Sequence, residues 1–216
     1  MKTTLKISRL TLLLGIAIWG NHAYASLCNA SSDPLVVSSS CEGLQVSSSK
    51  SAISVAPGVS VNGYFTYLPA VTIDGGVTTP TFVNNGAINA DNGNVSGMLI
   101  NANSSITNFQ NKVSIATNNN NIGPSYNSAL ELYGAIGTLT NSGTIAAIGI
   151  RSYGITMGGT ASIGTLANQT GQRIAGTASG VLMGNGADIR NLNNQGYITA
   201  TNPSTASPTS DGVVSN

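Results

Sequence analysis

The sequence predicts an all-β chain folded as a right-handed parallel β-helix, a solenoid of roughly 24–33-residue coils behind an irregular N-terminal cap. Composition points there first: charged residues are 7% and aromatics 5%, while 41% of residues are hydrophobic and Gly, Asn, Ser and Thr abound. Such a mixture disfavours ordinary helices, and low charge alone would also fit a disordered polar chain. The apolar residues decide the matter, because they recur as short β-branched groups at a long period, the mark of a solenoid. Two motifs kept in phase supply the other observations, and both are written out below.

From the N-terminus, residues 1–25 read as a secretory signal peptide. Lys2, Lys6 and Arg9 form a positive segment, Leu10 to Trp19 an apolar one, and Ala23-Tyr24-Ala25 a small-residue cleavage site, with the cut between Ala25 and Ser26. The apolar run is much shorter than the roughly 20 residues that span a bilayer. The signal implies passage through the Sec translocon. Its removal takes Lys2, Lys6 and Arg9, so basic residues fall from eight to five against seven acidic, a net charge near −2. That balance argues against a nucleic-acid partner. It also takes His22, the only histidine, which removes Ser-His-Asp and Cys-His mechanisms and the usual His-containing zinc sites.

Residues 26–80 are Ser-rich and interrupted by Pro57, Pro69 and Pro80, and are expected to form a cap over the first coil. Cys28 and Cys41 are expected to pair as a disulfide in an oxidising compartment, stapling the first ordered residues. The cluster Tyr64-Phe65-Thr66-Tyr67 reads as strand packing, with a sugar-stacking platform as the other reading.

Residues 81–216 carry the repeats, cut short in the last coil. The first motif is apolar-x-Asn-x-Gly-x-Ile-x-Ala: Phe82-Val-Asn84-Asn-Gly86-Ala-Ile88-Asn-Ala90, Leu139-Thr-Asn141-Ser-Gly143-Thr-Ile145-Ala-Ala147 and Leu192-Asn-Asn194-Gln-Gly196-Tyr-Ile198-Thr-Ala200. Two copies are imperfect: Leu166-Ala-Asn168 reaches Gly171 and Ile174 late, and Ile106-Thr-Asn108 has Gln110 in place of Gly. The second motif is a Gly or Ala before an apolar-x-apolar triplet, at Gly97-Met98-Leu99-Ile100, Ala129-Leu130-Glu131-Leu132, Gly154-Ile155-Thr156-Met157, Gly180-Val181-Leu182-Met183 and Gly212-Val213-Val214.

Each period thus offers three short strands: one at the apolar anchor, one at Ile-x-Ala and one at the triplet. Alternation along each strand turns Leu139, Ile145, Ala147, Ile155 and Met157 to one interior, which stacked coils bury together. Asn84, Asn108, Asn141, Asn168 and Asn194 are expected to stack as an amide ladder, and the recurrent Gly to supply positive-φ turns.

Motifs for chemistry are sparse. The acids Asp33, Glu42, Asp74, Asp91, Glu131, Asp188 and Asp211 are scattered, and Glu131 reads as a solvated surface charge. Gly184-Asn185-Gly186 is a turn rather than a phosphate loop, and Gly-x-Ser-x-Gly is absent. No catalytic, metal or cofactor residue is expected. What varies is the connection between the Ile-x-Ala strand and the triplet, short from Gly176 to Gly180 but extended at Thr117–Ser128 and Thr201–Asp211. Insertions at one place in the coil share one side of the rod. Asn118, Asn121, Tyr126, Asn202 and Asp211 are therefore candidate binding-loop residues, beside the plainer reading of insertions that the scaffold tolerates.

A signal peptide followed by Leu-Thr-Asn-Ser-Gly-Thr-Ile repeats, rich in Gly, Asn, Ser and Thr, resembles the N-terminal part of a bacterial autotransporter passenger of type V secretion. The resemblance covers roughly residues 80–216. It implies a Gram-negative origin, transit of the periplasm and display at the cell surface or release, through an outer-membrane β-barrel. It further implies an adhesin-like role, with a host-surface ligand or self-association. The chain departs from the family in reaching Val214-Ser215-Asn216 inside a repeat with no barrel, so it is expected to be a fragment, a truncated product, or a chain served by a separate barrel. A polysaccharide-processing β-helix enzyme and a filament secreted by a two-partner system are the alternatives, although Asn202-Pro203-Ser204 is a poor match to the segment typical of the latter.

Overall fold

The computed structural model describes residues 27–63, 68–91, 96–118, 127–201 and 213–215. Ala25, Ser26 and the rest of the proposed signal lie outside them, as do Tyr64-Phe65-Thr66-Tyr67. Every described element is a β-strand, and the strands come in threes. The first layer is β1 (Leu35–Val37), β2 (Cys41–Glu42) and β3 (Leu44–Val46), the second β4 (Ile53–Val55), β5 (Ser60–Asn62) and β6 (Val71–Ile73). Next come β7 (Thr78–Asn84), β8 (Ala87–Asp91) and β9 (Met98–Ile100), then β10 (Ser105–Asn111), β11 (Ser114–Asn118) and β12 (Asn127–Leu132). The fifth layer is β13 (Ala135–Asn141), β14 (Thr144–Ile148) and β15 (Ser152–Met157), and the sixth β16 (Ser162–Asn168), β17 (Arg173–Gly176) and β18 (Ser179–Met183). The last is β19 (Asp188–Asn194), β20 (Tyr197–Ala200) and β21 (Val213–Ser215).

First, second and third strands of successive layers pair into three seven-stranded sheets, parallel throughout. We call them the anchor, Ile-x-Ala and triplet sheets. The fold is a parallel β-helix. Its registers reproduce the two motifs: Ile88, Ile115, Ile145, Ile174 and Ile198 align in one sheet, and Met98, Leu130, Ile155, Val181 and Val213 in another. Inward rows are fully buried, among them Leu35, Ile53, Phe82, Phe109, Leu139 and Leu166. Phe82 and Phe109 meet edge to face at 4.9 Å, a geometry aromatic pairs favour. In the last layer the equivalent residues, Ile189, Leu192 and Ile198, are partly exposed because no described layer covers them.

Three expectations need correction. The stack begins at Leu35, so residues expected to form an irregular cap contain two regular layers. In them Val37 and Val55 occupy the position that Asn84 holds next, and Cys41 and Val61 that of Ile88, which hides the motif. The anchor row advances by 18, 29, 27, 30, 27 and 26 residues, so the first coil is shorter than the expected range.

The second correction concerns the ladder. Its member in the fourth layer is Asn111, not Asn108, because the anchor there is Phe109 and Ile106 belongs to a second inward row with Ile136 and Ile163. The amide Nδ2 of Asn84 donates to Asn111 Oδ1 at 2.9 Å, and Asn111, Asn141 and Asn168 repeat the bond to Asn141, Asn168 and Asn194 at 2.9, 2.8 and 2.8 Å. Each Nδ2 also reaches the backbone carbonyl beyond the next turn, as Asn111 does to Thr144 at 3.0 Å. Asn84 and Asn141 Oδ1 accept the N–H two residues on, from Gly86 and Gly143.

Third, the Gly of the Asn-x-Gly motif is not a positive-φ residue. A Cβ on Gly143 would lie 2.2 Å from the Val113 carbonyl oxygen, and one on Gly86 2.3 Å from that of Val59. Glycine is needed there because backbone from the layer above passes against the corner. Positive φ appears at Gly171, in the corner of the imperfect copy with its two extra residues, and in other turns such as that of Gly76.

Candidate functional site

The corner joining the Ile-x-Ala sheet to the triplet sheet is where the coils differ most. The connection is Gly43 alone in the first layer, residues 177–178 between β17 and β18, and residues 149–151 between β14 and β15. It lengthens to 63–70 between β5 and β6, 92–97 between β8 and β9, 119–126 between β11 and β12, and 201–212 between β20 and β21. The two expected insertions therefore leave and rejoin the stack at one corner, and 63–70 matches the first of them in length. Of the candidate loop residues, Asn118 is described: it ends β11, is exposed, and aligns with Asp91 and Ile148. Asn121, Tyr126, Asn202 and Asp211 lie outside the described residues.

Two further properties gather at this corner, and neither was expected. Apolar side chains stand exposed on it: Leu68 at 52%, Ile148 at 57% and Ile150 at 41%. Ile148 closes β14, and Ile150 lies in the turn beside Arg151, itself at positive φ. Near the first layers an apolar cavity of about 440 Å³ opens among Leu27, Gly43, Gln45, Leu68, Thr72 and Leu99. That is within the volume range of small-molecule sites. The Cys28–Cys41 disulfide, with its Cα atoms 5.2 Å apart, borders the cavity through Cys28.

Beneath the corner Ser152 and Thr177 are paired, and Asn127 keeps one unpartnered oxygen. Ser152 is fully buried, donates to the Ala147 carbonyl at 3.0 Å, and shares a 2.8 Å hydrogen bond with Thr177. Asn127, where the chain re-enters the stack after residues 119–126, is buried with its Oδ1 unpartnered.

Among the described residues the acids form no cluster. Asp33 accepts from the Ser51 hydroxyl at 2.6 Å and the Ser51 N–H at 2.8 Å, and those bonds hold its carboxyl below the usual aspartate range. Asp74 accepts from Gln45 at 2.9 Å, and Asp188 lies 3.6 Å from Arg190. Glu131 corrects the reading of a solvated charge. It is half-buried on the outer face of the triplet sheet, where the Tyr133 hydroxyl donates to Oε1 at 2.8 Å and the Ser96 hydroxyl to Oε2. Its stacked neighbours are Leu99 and Thr156. Stacking of the triplet revealed only that Glu131 has no acidic neighbour. Its phenol partner lies two residues along the same strand edge, outside the repeat motif.

The hydrogen bond to Glu131, then its charge, then partial burial push the Tyr133 phenol up to about 12 from 10.0. Ionisation of the phenol would remove the donor and set two negative groups together. The stabilisation is fully present below the unfolded value near 10 and is lost as pH rises through about 12. Ultraviolet titration of the folded protein should show one tyrosine ionising late, and Glu131→Gln should return it toward its ordinary value. An unshifted midpoint in the parent protein would contradict the contact.

Comparison with family models, curated proteins and solved structures finds no match to this chain.

Proposed function

We propose that the protein is an exported, adhesin-like binding rod of the autotransporter passenger type, acting outside the cytoplasm through the corner between the Ile-x-Ala and triplet sheets. The observation that carries this reading is the contrast between a uniform stack and one corner that concentrates variable insertions, exposed Leu68, Ile148 and Ile150, and an apolar cavity. A scaffold whose layers contact only their neighbours tolerates change at its turns without loss of fold, so specificity can be built there at little cost to stability. Export is supported by the N-terminal signal pattern and by the disulfide, which is at home in an oxidising compartment. Surface delivery in this reading relies on an outer-membrane β-barrel, and the ligand is a host surface.

The test is adhesion of bacteria displaying the chain on a heterologous outer-membrane barrel, with surface exposure checked by protease. Replacing 119–126 and 202–210 by short Gly-Ser turns, together with Ile148→Ser and Ile150→Ser, should reduce adhesion several-fold and leave the β-type circular dichroism unchanged. Adhesion that survives all these changes would remove the corner from the mechanism. Failure of residues 1–25 to export a fused reporter enzyme would remove the export reading.

A further inference from the structure

The triplet sheet presents a second surface, its outward face, which meets the apolar cavity at Gln45, Thr72 and Leu99. Its outward positions run Gln45, Thr72, Leu99, Glu131, Thr156 and Leu182 in one row, with Asp74 and Tyr133 in the row beside it. Asp74 and Glu131 are the charges of these rows, and no Lys or Arg stands among the outward positions of the described triplet strands. Lys50, largely buried, follows β3 by four residues in the layer next to Asp74, and Arg151 precedes β15 by one residue. Arg151 is five residues from Thr156, the position under Glu131, or roughly 16 Å. Lys112 and Arg173 belong to the anchor and Ile-x-Ala side of the rod.

Within this acidic strip one place is built. Glu131 is fixed by two hydroxyl donors, Tyr133 and Ser96, which leave lone pairs on both carboxylate oxygens. The Tyr133 ring lies over Gly158, where a Cβ would come within 2.5 Å of its Cε1 atom. The absence of a side chain at 158 lets the ring lie down on the sheet, and 41% of the residue remains exposed. A π face and a positioned carboxylate side by side attract the same kind of ligand, a cation with an apolar stem. Leu99 and Thr156, above and below Glu131, give that stem a surface to lie along. Because the phenol stays protonated to about 12, the arrangement persists at any physiological pH.

We propose that Glu131 and Tyr133 form a recognition site for the ammonium or guanidinium group of a lysine or arginine side chain in a basic peptide segment. Asp74, two layers up and two positions along, lies roughly 12 Å from Glu131 and receives a second cation three or four residues away in an extended peptide.

The test titrates the purified protein with hexalysine, following the Tyr133 ring resonances by NMR and affinity by calorimetry. Saturable binding centred on Tyr133 and weakened by high salt is expected. Glu131→Gln should weaken it about tenfold and Tyr133→Leu about fivefold. Tyr133→Phe, which keeps the ring, should retain most of the affinity, and Asp188→Asn should change nothing. Absence of hexalysine binding, resonance changes centred elsewhere on the parent protein, or equal competition by uncharged chitohexaose would each overturn the proposal. The resonance map of the parent decides the question even where a variant fails to fold.

Discussion

Ile145→Asp should unfold the middle of the rod. Ile145 is fully buried, paired with Ile115 above and Ile174 below, and no group within that row can hydrogen-bond a carboxylate. The change removes an aliphatic side chain from a closed interior and puts an unpaired charge in its place, at a cost of at least about 5 kcal/mol. Whole domains are stable by only roughly 5–15 kcal/mol. Because each layer is held only by its neighbours, the loss also opens the layers above and below. The neighbouring position provides the control: Thr144 points outward, and Thr144→Asp should cost less than about 1 kcal/mol. Thermal melts followed by circular dichroism, with limited proteolysis, distinguish the two. Equal behaviour of the pair would mean that the alternation on β14 is wrong.

Asn111→Ala should destabilise the rod by about 3–6 kcal/mol, since it strips a partner from Asn84 Nδ2, Asn141 Oδ1 and the Thr144 carbonyl, all inside the corner. The corresponding fall in melting temperature is roughly 10 °C. Asn108→Ala should be close to neutral. Asn108 is exposed and stacks between Thr81 and Thr138 on the outer face of the anchor sheet. A cost at Asn108 that matches the cost at Asn111 would sink the register of the ladder.

These two asparagines also show where sequence reasoning worked and where it stopped. Strand number per coil, the Ile-x-Ala row, the triplet row and four of the five ladder positions were legible, because stacking repeats side-chain type at fixed intervals. The fourth layer misled because its strand, Ile106-Thr-Asn108-Phe109-Gln-Asn111, contains two copies of apolar-x-Asn. Only the distance to Ile115 separates them, and Lys112-Val113 in place of x-Gly disguised it. The first two layers were missed for a different reason: valine at the ladder position satisfies the hydrophobic interior without leaving the polar signature that marks a corner. Insertion lengths showed that 119–126 and 201–212 share one corner but not that 63–70 joins them, and the exposed Ile148 and Ile150 carry no pattern that sets them apart from buried isoleucines.

The disulfide governs how the rod bears tension. A pull applied ahead of Cys28 crosses directly to Cys41 through the sulfur bridge, so residues 29–40, with β1 among them, lie outside the load path. Force enters at β2, next to the strand it pairs with in the second layer. Beyond it the load passes through layers that are each bonded only to their neighbours, so the rod yields one coil at a time. Each later coil, 26–30 residues along the anchor row, would release roughly 90 Å of extended chain as it yields. Under load, then, the molecule lengthens in short steps while the segment inside the disulfide loop stays out of the pull.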